Sequence, residues 1–136
     1  MKVKNCRIIK LPTIKDEKDG CLSIAEGLRN IPFEIKRIYY IYNLNKESFI
    51  RGEHAHKKLQ QVLFCINGSC FVDLDDGTNK KTPLLYAPNV GIYMGPLVWH
   101  KVGAFSKGCI LLVLASDFYD ESDYIRSYPE FLEYIK

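Results

Sequence analysis

Of the three histidines in this 136-residue chain, two stand one residue apart in Arg51-Gly52-Glu53-His54-Ala55-His56-Lys57, and the third closes Gly95-Pro96-Leu97-Val98-Trp99-His100. Imidazole is the side chain whose ordinary pKa lets it take up and return a proton near neutral pH, and in its neutral form it also ligates metals. On a β-strand, residues i and i+2 point to one face, so His54 and His56 project together. Two imidazoles side by side disfavour each other's protonation, which keeps one of them neutral and basic. General acid–base catalysis and metal ligation are the two chemistries open to such a pair.

Other residues could hold a substrate for that chemistry. Arg37 and Tyr39 alternate with Ile38 and Tyr40 in Lys36-Arg37-Ile38-Tyr39-Tyr40, so one face of that strand carries the guanidinium and a phenol. If that face lines the interior, an Arg fork suits phosphate oxygens and a phenol suits a hydroxyl or carbonyl. Arg51 beside Gly52 reads as a second phosphate contact. Tyr93 and Trp99 could flank a sugar or a base, or serve as core aromatics. Lys57-Lys58 and Lys80-Lys81 read as solvated surface.

The elements that must position these residues are short β-type runs punctuated by turn residues. Candidate strands cover Arg7 to Leu11, Leu22 to Ala25, Phe33 to Asn43, Gln61 to Ile66, Cys70 to Leu74, Thr82 to Tyr86, Gly91 to Met94, Val98 to Phe105 and Cys109 to Leu114. Asn67-Gly68 and Asp76-Gly77 supply the positive φ angles of tight hairpins, which predicts a meander over the strands around them. From Asp120 onward, apolar residues at three- and four-residue spacing predict a C-terminal helix broken by Pro129, with the acidic run Asp117 to Asp123 capping it. Many short strands and one terminal helix predict a mostly β fold, a sandwich or barrel. Residues 1–136 suffice for one such domain and not two.

Composition excludes several functions. A net charge of +3 gives no nucleic-acid-binding surface. The longest apolar run, Cys109 to Ala115, is far too short to span a membrane as a helix, and no signal-type apolar block follows Met1. A cytoplasmic location is expected. The five cysteines include no CxxC pair, and Cys65, Cys70 and Cys109 lie in apolar strand contexts, as buried reduced thiols do.

His54-x-His56, then Gln61 and Gly68, resembles the first cupin motif, with Gln61 where that motif carries Glu. Gly91 to His100 resembles the second, one residue short between Pro and His. The resemblance implies a cupin jelly-roll β-barrel with a short C-terminal helix. In metal-binding cupins His54, His56, the acidic residue and His100 would hold a divalent ion. An amide is a poorer ligand than the missing carboxylate, so no metal and no cofactor are expected.

Five separated segments are similar to one branch of the cupins. They are Ile31-Pro32-Phe33-Glu34-Ile35-Lys36-Arg37-Ile38-Tyr39-Tyr40, Arg51-Gly52-x-His54-Ala55-His56-Lys57, Leu74-Asp75-Asp76-Gly77, Gly95-Pro96-x-x-Trp99-His100, and Leu114-Ala115-Ser116-Asp117 with the Tyr119 to Arg126 stretch. The branch is the sugar-nucleotide 3,4-ketoisomerases. The resemblance implies a dTDP-linked 4-keto-6-deoxyhexose as substrate, a 3-keto product destined for a 3-amino sugar, and a homodimer that exchanges N-terminal strands. Within it His54 is expected as the proton-transferring base with His56 beside it, in either order. Arg37, Tyr39, Arg51, Gln61, Tyr93, Trp99 and His100 are expected to bind substrate. Asp19-Gly20 departs from an Arg-Gly pair that the family favours. A metal-dependent cupin enzyme, a dTDP-sugar 3,5-epimerase and a non-catalytic sugar-sensing module are the alternatives.

Overall fold

A computed structural model describes residues 1–136. The strands are β1 (Cys6–Lys10), β2 (Thr13–Asp16), β3 (Gly20–Ser23), β4 (Arg37–Ile41), β5 (Arg51–His56), β6 (Gln61–Asn67) and β7 (Cys70–Asp75). They continue as β8 (Lys80–Lys81), β9 (Leu84–Leu85), β10 (Val90–Met94), β11 (Trp99–Gly103), β12 (Ile110–Ala115) and β13 (Tyr124–Ile125), followed by helix α1 (Tyr128–Tyr134). One sheet runs β1-β10-β6-β12-β4 and a second runs β13-β5-β11-β7-β8, with β9 beside β7. β2 and β3 form a separate hairpin.

The two main sheets share one core without closing into a continuous hydrogen-bonded barrel. Leu63, Ile92, Met94, Leu111 and Val113 from the first meet Val72, Leu74 and Val102 from the second. β6 lies inside its sheet and is covered on both faces, which explains its unbroken run of buried residues from Gln61 to Cys65. Its outer residues Val62 and Phe64 pack against Ile9, Leu11, Ile31 and Phe33. The expected strand Phe33 to Asn43 is thereby shortened. Only Arg37–Ile41 pairs with β12, because the chain before it spends its apolar side chains covering this outer face.

The C-terminal expectation also changes. Residues from Asp120 form a short 3-10 turn (Glu121–Asp123), then β13 on the edge of β5, and only then α1. Pro129 does not break that helix but sits in its first turn, where a missing N–H costs nothing, and Ser127 is the N-cap. Phe131 is fully buried against Ala55 and Ile125, which fastens the helix to the back of the strand that carries the histidines. No helix is long and apolar enough to cross a membrane.

Candidate active site

β5 and β11 bring the histidines together. His100 pairs directly with His54 across the two strands. The imidazole centroids of His54 and His100 lie 4.6 Å apart, those of His54 and His56 4.8 Å, and those of His56 and His100 5.9 Å. The Tyr124 ring completes the group at 4.8 Å from His54 and 4.5 Å from His56. Sequence reasoning missed Tyr124 as a site residue because it read the segment as helix. The signal available was its place in the Tyr119 to Arg126 stretch that is similar to the ketoisomerases.

Strict alternation would put Arg51 on the opposite face from His54. A β-bulge reverses that. His100 pairs with His54 and Lys101 with Gly52, so Glu53 is an extra residue on β5. Gly52 at φ +92 and Glu53 at φ +58 take the left-handed turn it requires. A Cβ at Gly52 would stand 3.0 Å from the His100 carbonyl oxygen. Beyond the bulge Arg51 pairs with the inward-facing Val102 and turns back towards the histidines.

The resulting cleft, about 240 Å³, is lined by Arg37, Tyr39, Arg51, His54, Gln61, His100 and Tyr124 above apolar Leu63, Val102, Leu111 and Val113. Arg37, Tyr39 and Ile41 face inward while Ile38 and Tyr40 are exposed, so the Arg37 face of β4 does line the interior. Arg37 and Tyr124 are shared with a smaller adjoining cavity that reaches His56 and Asp123.

Hydrogen bonds assign roles to the nitrogens. His56 Nδ1 faces Asp123 Oδ2 at 3.2 Å, and Asp123 also accepts from the Lys58 N–H at 2.8 Å and the Leu59 N–H at 3.2 Å. The acidic run therefore does not cap the terminal helix. Asp120 caps the 3-10 turn, and Asp123 anchors His56 with its proton on Nδ1 and Nε2 left bare. His100 Nδ1 donates to the Val98 carbonyl at 3.1 Å. His54 Nδ1 and Arg37 Nε are buried with no hydrogen-bond partner, the exceptions in a site whose other buried polar atoms are paired.

Burial keeps all three rings neutral. It lowers the pKa of His54 from 6.5, and with help from His54, Arg37 and Arg126 it takes His56 to about 3. His100 falls to about 3 by burial, with His54 adding to the shift. Burial likewise pushes Tyr39 up to about 12, so it remains a phenol, donating to Gln61 Oε1 at 2.7 Å.

The ring nitrogens of His54, His56 and His100 lie within 4.8 Å of one another, close enough to share an ion. Gln61, at the position of the cupin carboxylate, has its oxygen engaged by Tyr39 and is neutral, so the set lacks an anionic ligand.

Two expected residues stand elsewhere. Tyr93 lies on the outer face of β10, bonded to Gln60 Oε1 at 2.8 Å with the Arg7 guanidinium 4.7 Å from its ring centre. Strand alternation decides this, since Ile92 and Met94 take the inner face. Trp99 points out of β11, opposite His100, and packs edge-on against Tyr128 at 5.4 Å. It borders a larger groove of about 560 Å³ that contains no histidine. Two pairs of charges there meet each other, Lys80 with Asp75 at 3.0 Å and Lys101 with Asp73 at 3.5 Å.

A two-sheet jelly-roll with an inward-facing imidazole cluster and two arginines at its mouth defines a cupin-type small-molecule site. The chain belongs to the FdtA family ("FdtA: WxcM-like, C-terminal"), whose profile matches residues 4–136. It is 51% identical over 129 residues to the TDP-4-oxo-6-deoxy-alpha-D-glucose-3,4-oxoisomerase of Aneurinibacillus thermoaerophilus, covering 95% of this chain and 91% of that enzyme. A 3,4-ketoisomerase from Helicobacter canadensis superposes with a TM-score of 0.91 at 49% identity, over 96% of this chain and 97% of the other. A His-to-Asn variant of the 3,4-ketoisomerase QdtA from Thermoanaerobacterium thermosaccharolyticum, in complex with TDP-4-keto-6-deoxyglucose, gives 0.94 at 45% identity, over 98% and 95% of the two chains.

Proposed function

We infer that this chain is a dTDP-4-keto-6-deoxy-D-glucose 3,4-ketoisomerase, producing a dTDP-3-keto-6-deoxyhexose by histidine-mediated proton transfer. The observation that carries this reading is the convergence of His54, His56, His100 and Tyr124 in a cleft that also receives Arg37 and Arg51. The C4 carbonyl acidifies the C3 proton. A neutral imidazole removes it, an enediol forms, and the same group returns a proton at C4. His54 suits that task best, being the one partly exposed ring of the three and lining the central cleft. His56, held by Asp123, lies where it can orient the sugar or pass a proton between its oxygens. His100 and Tyr124 close the pocket around the reacting carbons.

Arg37 and Arg51 come from different strands and suit the diphosphate, whose charge matches two guanidinium forks. Tyr39 and Gln61 act as one hydrogen-bonded unit towards sugar oxygens. The reaction on this reading needs no metal, since proton transfer and hydrogen-bond donors suffice for an enediol. Incubation with the keto sugar and magnetic resonance of the product tests the reading, which expects the carbonyl to move from C4 to C3.

A homodimer also belongs to the proposal. β1 pairs with β10 of the same chain from Cys6 to Lys10, so it is not the uncovered element. The β2–β3 hairpin instead exposes Ile14 and Leu22, which are cross-strand partners, and β4 exposes Ile38 and Tyr40. Apolar faces of this kind call for a covering surface, and sedimentation should give a species of twice 15.7 kDa. Five free thiols fit a reducing cytoplasm.

A further inference from the structure

Apart from the histidines, the structure gathers one other group of metal-ligating side chains, and the ketoisomerase reading does not use it. Cys65 of β6, Cys70 at the start of β7 and Cys109 just before β12 bring their sulfurs within 4.8 Å of one another. Cys65 and Cys109 are 3.3 Å apart, Sγ to Sγ. All three are free thiols, exposed by 1% or less. The cluster lies four residues along β6 from Gln61, roughly 13 Å away at strand rise.

The surrounding loops are built to hold these sulfurs in place. The Asn67-Gly68-Ser69 turn clips to the Ser106–Gly108 loop, with Asn67 Nδ2 donating to the Gly108 carbonyl at 2.7 Å and the Ser69 N–H to Ser106 Oγ at 2.8 Å. Gly68, at φ +74, leaves no room for a Cβ, which would meet Ser106 Oγ and stand 3.1 Å from Cys109 Cα. A surface groove lined by Tyr42, Leu44, Lys107, Gly108 and Cys109 borders the cluster at Cys109.

We propose that Cys65, Cys70 and Cys109 form a three-sulfur site for a soft monovalent cation of the Cu(I) class, separate from the histidine cleft. Sulfur-only ligation selects soft ions over the harder divalent metals. Three donors without a fourth side chain suit an ion content with trigonal coordination. Binding displaces thiol protons to solvent, with no change of oxidation state at sulfur or metal.

The test is anaerobic titration of the whole chain, carrying Cys21→Ser to remove the exposed thiol, with Cu(I) supplied from a competing chelator. One ion per chain, a sulfur-to-metal charge-transfer absorption, a raised Tm and three sulfur neighbours by X-ray absorption are expected. Cys65→Ser and Cys109→Ser should each weaken binding by at least ~10-fold, with ketoisomerase turnover unchanged. X-ray absorption on the chain with all three thiols present keeps the proposal falsifiable if those variants fail to fold. Nitrogen neighbours, which would place the ion on the histidines, retention of the ion by the Cys65→Ser/Cys109→Ser double variant, or no binding at all would each overturn it. Loss of turnover in the titrated protein alone would bear on the histidine cleft and not on this site.

Discussion

The two faces of the β5–β11 pair carry opposite kinds of residue. Inward, His54, His100 and Arg51 enter a cleft, and His54 Nδ1 is left without a protein partner. Outward, Trp99 rests on Tyr128 and Phe131, and Lys101 pairs with Asp73. The outer face is satisfied and the inner face is not. A strand pair of this kind assigns support to one side and chemistry to the other by alternation alone, and one bulge at Gly52-Glu53 shifts Arg51 from the first role to the second.

The sharpest way to break that division is at His54. His54→Asn should lower turnover by about 10²- to 10⁴-fold, as loss of a general base does, with dTDP binding and Tm held near the parent values. Steady-state kinetics and calorimetry check both halves. Near-normal turnover in a folded variant would transfer the base role to His56.

A smaller loss is expected at Asp123. Asp123→Asn keeps the shape but can turn its amide N–H towards His56, so the ring loses its fixed tautomer. Turnover should fall by about 10- to 100-fold, and the pH dependence of kcat should change shape, which a purely structural role would not produce.

Trp99→Ala should do the reverse, sparing the affinity for dTDP-sugar while destabilising the fold. Full burial would predict about 3–5 kcal/mol for such a truncation, and partial exposure puts it below that range. Chemical unfolding gives the number, and a loss of affinity without a loss of stability would return Trp99 to the site.

A last effect, nil at neutral pH, concerns acid. His56 and His100 have folded pKa values of about 3 against 6.5 in the unfolded chain. The unfolded state therefore takes up protons first as pH falls. Their contribution to stability is complete above about 6.5 and is lost as pH falls towards 3. Tm should be flat from pH 7 to 8 and decline below 6.5, and His100→Gln should decline less steeply.

Much of this was legible in the sequence. The His-x-His spacing and the Asp76-Gly77 turn, which joins the paired β7 and β8, depend on local geometry, and strand periodicity translates them directly. Asn67-Gly68 also turns the chain, but β6 and β7 lie in different sheets, so the expected meander across them does not form. The Gln at the ligand position was legible from the cupin resemblance. The alternation of Arg37 and Tyr39 with Ile38 and Tyr40 was legible too, but which of the two faces turns inward is decided only by packing in the sheet. Tyr93 and Trp99 misled because aromatic character says nothing about which face a strand turns inward, and Ile92 and His100 decide that here. Tyr124 and Asp123 escaped because their segment has helical spacing, while pairing with β5, a long-range contact, holds it extended. The bulge was equally hidden. Gly52 hinted at unusual backbone, but only the partner strand reveals an inserted residue.

The central claim is that the histidine cleft moves a proton between C3 and C4 of a 4-keto sugar, and product analysis in deuterated water tests it most directly. The account predicts a carbonyl at C3, deuterium at C4 and no enzyme-dependent label at C5. A carbonyl still at C4 with deuterium at C5 would contradict it and point to a 3,5-epimerase.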